Sequence, residues 1–377
     1  GGRPRRRLHG IRRDTLFDVV GAVVAALCVT VLLFGPLAAL SGPIGFVFVA
    51  WGIFLVVYGV LVSLREDGPA VRDAVMTAVF TSAAVVAVVA LAAVVTFTLQ
   101  RGRHALVHAN FYTTDMSTAG PTAPLTKGGV AHALVGTLWQ IGIAIVLSVP
   151  LGLVCAVYLD QTRTRFSRFV RTVVEAMTAL PTILAGLFIF AFWIIILGFQ
   201  QSGLAAALAL SIMMIPYMVR TSDLVLRLVP NSLREASGAL GAPKWRTVWH
   251  VVLPTARSGL ATGVILAIAR GIGEASPVLL TAGFTTYMNA DPVHGPMVSL
   301  PLEALKLVAS GEPNYVARGF ACAALLLIVV LTLFVVARVV GGFGPEHMSR
   351  RHRRRVQRSS ARDVGRLRGA GGTGAAS

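Results

Sequence analysis

Eight apolar runs alternate with short polar segments along the chain: 16–40, 43–64, 74–99, 130–159, 169–198, 203–222, 255–284 and 318–340. None shows the period-two alternation of a membrane barrel strand, whose lipid and lumen faces take turns. About 20 apolar residues in helical geometry cross a hydrocarbon layer about 30 Å thick. A backbone in lipid must also satisfy its own polar groups, which helices do within one segment. The pattern therefore predicts an all-α polytopic membrane protein with about eight transmembrane helices. Pro36, Pro150, Pro181, Pro216 and Pro277 fall inside the runs. In a packed bundle, neighbours satisfy the carbonyls that each proline frees, so kinks are expected there.

Charge sorts the connecting segments into two sets. Arg65 and Arg72, then Arg163, Arg165, Arg168 and Arg171, then Arg227, Arg234, Lys244 and Arg246 occupy alternate connections, and basic tails close both ends. The intervening connections, 41–42, 100–129, 199–202 and 285–317, are poorer in Lys and Arg, with Arg101, Arg103 and Lys127 as a mild exception. By the positive-inside rule, both termini are expected in the cytoplasm.

Only 13% of the 377 residues are charged and 55% are hydrophobic, against about 25% charged in a globular domain. A soluble enzyme and a disordered chain are both excluded. The net charge of +18 lies mostly in the tails, +6 over residues 1–13 and +7 over 341–377. These runs lack interleaved aromatics and flank an apolar body. They read as cytoplasmic tails near anionic lipid, with no nucleic-acid partner. The tail from about residue 350 and the 111–129 loop, rich in Thr, Gly and Pro, are expected to be mobile. Cys28, Cys155 and Cys322 lie in apolar runs without metal-site or disulfide spacing. The first run is too long for the core of a cleavable leader.

The connection after the sixth run carries the most specific local signal. It reads Glu235-Ala236-Ser237-Gly238-Ala239-Leu240-Gly241, nine further residues, then Val251-Val252-Leu253-Pro254. This resembles the EAA motif of ABC-importer permeases, with Ser237 in place of the second alanine. The resemblance implies a short cytoplasmic coupling helix that docks on an ATPase through Glu235, Ala236, Gly241, Leu253 and Pro254. Small residues permit close packing, while Gly241 and Pro243 stop the first helix and turn the chain. A phosphate-cradling G-x-x-x-x-G-K-[ST] loop needs a lysine after glycine. Lys127, Lys244 and Lys306 all lack one, so ATP hydrolysis is expected on a separate subunit.

The seventh run contains Ala269-Arg270-Gly271-Ile272-Gly273-Glu274-Ala275-Ser276-Pro277. Ionisable groups inside a membrane run are functional candidates, and Arg270 and Glu274 stand one helical turn apart. With Gly263 and Thr281, at helical spacing, they are expected to form one polar stripe. Such a stripe suits a translocation path, a partner helix, or an internal ion pair that locks the bundle. Arg270 is the first choice for oxyanion contact, because guanidinium offers a planar fork of donors. Glu274 would pair with it at rest or meet a partner.

Together with 228–236 (Leu-Val-Pro-Asn-Ser-Leu-Arg-Glu-Ala), 241–245 (Gly-Ala-Pro-Lys-Trp) and 149–153 (Val-Pro-Leu-Gly-Leu), this segment resembles the PstA-type permeases of phosphate ABC importers. The resemblance covers 126–340 and implies a type I ABC importer permease core, with a coupling segment at 230–254. Residues 1–15 form a basic tail, 16–99 three additional spans, and 341–377 a second tail. The resemblance further implies a phosphate path with Arg270, Glu274 and Arg220, in a bacterial plasma membrane. The implied partners are a second homologous permease, an ATPase dimer holding ATP and Mg, and an extracytoplasmic phosphate-binding protein.

Other residues stay open. Arg220 suits a path or gate as well as a positive-inside anchor. Glu175, with Thr178 and Thr182, suits a structural pair with a basic neighbour. His104 and His108 lack the carboxylates of a metal site. The amphipathic 298–310 stretch suits the outer membrane surface or contact with the delivering protein. Sulfate or molybdate remains an alternative cargo, and an ion-gradient-driven transporter a different class. That class usually shows inverted repeats, and none is visible here.

Overall fold

The computed structural model describes residues 13–35 and 42–341, so Pro36 and nearly all of both basic tails lie outside the described residues. Among the described residues every regular element is helical. Seven helices are long and apolar enough to cross a membrane, or eight if one bent pair is a single span. The chain divides into two units, residues 1–96 and 97–377.

In the first unit, α1 (Arg13–Phe34) and α2 (Pro43–Ser63) form a hairpin. Phe34 and Phe46 meet edge to face at 5.4 Å, and Arg65 reaches Asp18 at 3.3 Å. The early part of α3 (Gly68–Leu106) joins it through Trp51, whose indole donates to the Ser82 hydroxyl at 3.1 Å. The helix is 39 residues long, well beyond the predicted 74–99. Its polar ends continue the helix past the apolar stretch. None of its most apolar window is buried, as expected of a lipid-facing surface.

The second unit is built around α8 (Gly203–Arg227), 67% of whose apolar window is buried, against 28% for its main neighbour α5 (Ala131–Gln161). Ala205, Ala206, Ala207 and Ala209 are fully enclosed. Small side chains let membrane helices approach where lipid supplies little hydrophobic driving force. At Gly152 of α5 a Cβ would lie 2.5 Å from the Met218 Cβ, so the crossing requires glycine. Pro150 and Pro216 do lie within α5 and α8.

Two predicted spans are broken. The 169–198 run divides into α6 (Arg165–Ala179) and α7 (Thr182–Ile189), the latter running on as a π-helical stretch (Phe190–Ile196). The two parts bend by 102°. Leu180 precedes a proline and adopts extended geometry, ψ 139°, as such residues prefer. The 255–284 run is α11 (Leu253–Gly273) followed by the separate α12 (Ser276–Thr281). Glu274 leaves the helix with ψ 117°. Pro181 and Pro277 therefore stand at helix starts, where the missing N–H costs nothing, and are not kinks.

The expected stripe of Gly263, Arg270, Glu274 and Thr281 does not exist as one face. Thr281 is buried and its hydroxyl donates to the Pro277 carbonyl at 2.9 Å.

Two connections also differ from expectation. The 111–129 loop, which begins in the short α4 (Asn110–Thr113), is packed: Phe111, Met116 and Ala119 are buried. The Asn110 amide donates to the carbonyls of Leu125 and Gly128 at 3.0 and 2.7 Å. The amphipathic stretch near 300 forms α13 (Leu300–Ala309), whose Leu300, Leu302 and Leu307 enter the protein core instead of facing a membrane surface. The last helix, α14 (Pro313–Gly341), packs on it.

Candidate translocation and coupling site

Arg270 lies in the last turn of α11, and its guanidinium sits over the Tyr217 ring of α8, 4.1 Å from the centroid. A cation on an aromatic face at a partly exposed site contributes about 0.5–1 kcal/mol. The Arg270 Nε is 3.7 Å from the Glu274 carboxylate, and the two side chains are 42% and 19% exposed. That distance is an ion pair without a hydrogen bond. The pairing expected from the spacing survives although Glu274 has left the helix. The approach of α11 to α8 depends on Gly271, where a Cβ would come within 2.7 Å of the Met214 sulfur.

Arg220 follows Tyr217 by one turn on α8. It is exposed and lines a cavity of about 240 Å³ with Arg171, Glu175, Asp223 and Arg227. Asp223 is buried and accepts from Arg171 at 2.7 and 3.5 Å, while Arg227 approaches it at 3.2 Å. Arg220 makes no ion pair among the described residues. Glu175 acts electrostatically on Arg171, consistent with a structural pairing. Arg270 thus meets α8 at Tyr217, whereas Arg220 shares the cavity at the Arg227 end with Glu175.

The residues expected to couple to an ATPase stand apart, beyond that end. Helix α9 (Asn231–Ala239) carries Glu235 and Ala236, both exposed. Gly241 has φ +76°, a left-handed geometry that glycine adopts without strain. After it the chain turns through Pro243 into α10 (Lys244–Thr247), a π-helical turn (Val248–Val252) and α11. Leu253 is half-buried and Pro254 exposed at the start of α11. The Ser237 and Thr247 hydroxyls pair at 2.9 Å and close the turn. Leu233, Leu240, Trp245 and Trp249 are exposed, Leu240 by 88%. A polar connection that exposes four large apolar side chains offers a protein-docking patch.

Sequence reasoning counted Arg234 only as a positive connection. In the structure it grips Asp160 at the end of α5 with two nitrogens, at 2.7 and 3.2 Å, and the Leu226 carbonyl at 2.9 Å. This clamp ties α9 to the ends of α5 and α8. The Arg171–Asp223 pair was missed in the same way. Each of these acids is a lone carboxylate within or ending an apolar run, which was the available signal.

Residues 148–344 match the family described as binding-protein-dependent transport system inner membrane component. The chain belongs to this family, and it is a multi-pass membrane transport subunit. It is 42% identical over 271 residues to phosphate transport system permease protein PstA 1 of Mycobacterium tuberculosis (strain CDC 1551 / Oshkosh), covering 72% of this chain and 88% of that relative. It is 39% identical over 261 residues to the PstA of Mycobacterium leprae, covering 69% and 85%. A chain in the crystal structure of a bacterial alginate ABC transporter, in complex with alginate pentasaccharide-bound periplasmic protein, shares the fold. The TM-score is 0.52 at 14% identity, over 74% of this chain and 95% of that one.

Proposed function

We propose that the chain is one of two permease subunits of an ATP-driven inorganic phosphate importer. The likeness to phosphate permeases over 271 residues carries the assignment of the cargo. In this reading the Arg227 ends of the spans face the cytoplasm, as do both termini of the chain, and the membrane is a bacterial plasma membrane. A second, homologous permease completes the path, an extracytoplasmic binding protein delivers phosphate, and an ATPase dimer, holding ATP and Mg, docks on the coupling segment.

The geometry supports a division of labour. Phosphate is strongly hydrated, and a charge leaves water only where other groups replace that hydration. One face of the Arg270 guanidinium rests on Tyr217 and its donors make no hydrogen bond among the described residues, and Arg220 follows one turn further along α8. Glu274 balances Arg270 at rest, and an arriving anion competes with it for the guanidinium. Closure of the ATPase pushes α9, and the Arg234–Asp160 clamp passes that movement to α5 and α8. Chemistry stays with the ATPase; this chain moves.

The test is uptake of labelled phosphate into proteoliposomes holding the assembled complex, with binding protein outside and ATP supplied to the ATPase face. ATP-dependent uptake that excess phosphate suppresses and sulfate or molybdate does not is the expected result. Uptake without ATP, or preferential suppression by sulfate or molybdate, refutes the assignment.

A further inference from the structure

We propose that His132 and Glu303 form a buried proton-binding site that latches α13 and the segment before it onto α5. His132 sits in the first turn of α5 and Glu303 in the first turn of α13, 171 positions apart in the sequence. Both side chains are 1% exposed, and His132 Nε2 lies 3.8 Å from Glu303 Oε1. Neither ring nitrogen and neither carboxylate oxygen has a hydrogen-bond partner. A bare carboxylate in such a place is very costly, whereas a protonated one gains an O–H donor facing an unpaired ring nitrogen.

The neighbouring contacts form a clasp. The Leu300 N–H donates to the Thr137 hydroxyl at 2.8 Å, and the Gln140 amide donates to the Met297 carbonyl at 2.7 Å. Between them Gly136 lets the Val298 carbonyl press against α5; a Cβ there would collide with it. Thr137, Gln140 and His132 thus hold 297–303 along one stretch of α5. The clasped segment also continues toward the path: the Met297 N–H donates to the Ala282 carbonyl at 2.9 Å, just after α12, which itself follows Glu274.

Among the described residues no lysine or arginine pairs with Glu303; its one ionisable partner there is His132. On α14, Tyr315 and Cys322 interact electrostatically with Glu303, and Arg318 in turn with Tyr315. Arg318 spends one nitrogen on the carbonyls of Ala123, Pro124 and Lys127, at 3.2, 2.8 and 2.7 Å, while its Nη1 is buried without a hydrogen-bond partner and makes no ion pair with Glu303. On the α5 side the second acid is Asp115, which acts on His132. The Ser117 hydroxyl and the Met288 N–H hold the Asp115 carboxyl below the usual carboxylate range. Burial pushes the Glu303 carboxyl up to about 8.

The sign follows from these two states. An opened Glu303 titrates near the ordinary value for a carboxyl, about 4.3, and a clasped one near 8. An opened His132 also takes up a proton below about 6.5, which its enclosed, unpartnered ring does not, so the clasped form binds one more proton than the open form only between about 6.5 and about 8. Raising the pH across that window shifts the balance toward opening about tenfold per unit, and above about 8 the effect levels off.

The experiment measures amide exchange of residues 297–309 in the full complex in lipid from pH 5 to 9.5, corrected for intrinsic exchange. Protection in the wild type should stay nearly level up to about pH 6.5, fall about tenfold per unit from there to about 8 and then flatten; Glu303→Gln should remove this slope. A flat wild-type profile, or an unchanged slope in Glu303→Gln, overturns the proposal. A second readout needs no variant. Infrared spectra of the wild-type complex with isotope-labelled glutamate should show a protonated buried carboxyl at pH 7 that disappears as pH rises through about 8. Absence of that band at pH 7 also overturns the proposal.

Discussion

Replacing Arg234 with alanine strands a carboxylate that the fold has enclosed. Asp160 is 7% exposed and Arg234 23%, with two guanidinium–carboxylate contacts at 2.7 and 3.2 Å. Removing one partner of a fully buried pair costs about 3–5 kcal/mol. Water reaches part of Arg234, so the expected loss is about 2–3 kcal/mol, or roughly 30- to 100-fold in the anchored fraction of α9. The paired change Arg234→Met with Asp160→Leu removes both charges and should recover most of the stability, because no charge is left unpaired. It should not recover coupling, because no polar tether remains between α9 and α5.

The assay compares phosphate uptake with ATP hydrolysis in proteoliposomes of the assembled complex, alongside thermal unfolding of the same samples. Arg234→Ala should lower the uptake obtained per ATP by tenfold or more and lower the unfolding temperature. The double variant should restore the temperature alone. Wild-type uptake per ATP in both variants would show that the clamp only holds the fold together.

Two further perturbations separate path from coupling. Arg270→Ala should abolish phosphate uptake in a complex that still assembles and hydrolyses ATP, and Arg270→Lys should restore little, since a point charge lacks the planar fork; near-normal uptake in either would remove Arg270 from the path. Gly241→Asp places a Cβ at φ +76°, a strain of about 1–2 kcal/mol. Like Glu235→Lys, it should reduce co-purification of the ATPase or uncouple it, and retention of both would contradict the docking role.

What the sequence makes legible here is local. The geometry of the turn after α9 is legible because its logic fits within twenty residues: a helix of small side chains, a glycine at positive φ and a proline that restarts the chain. The spans are legible because crossing lipid requires long apolar runs. Their breaks are less so. Hydropathy across 169–198 is continuous, while the backbone turns by 102° at Leu180–Pro181. In lipid, a proline inside an apolar run is compatible with a kink, a break or a helix start. Only the packing of Gly186 against the Pro277 backbone, with 2.6 Å left for a Cβ, selects the break.

Helix α13 shows a second kind of ambiguity. Its sequence is amphipathic, and an apolar face looks the same whether protein or lipid covers it. The distinguishing residue is Glu303, which lies on the enclosed side with Leu300 and Leu302. Charge in this protein is likewise placed by partnership over long sequence distances. Asp160 finds Arg234, Asp223 finds Arg171, and Glu303 finds only a neutral-capable histidine. Arginine meets each of the first two acids with two nitrogens. Glu303 has no such cation, and the same burial that elsewhere strengthens an ion pair makes a proton its only available counter-charge. Burial therefore divides these three acids into two fixed tethers and one titrating group. The titrating group sits on the segment that leads back, through α12, to Arg270 and Glu274.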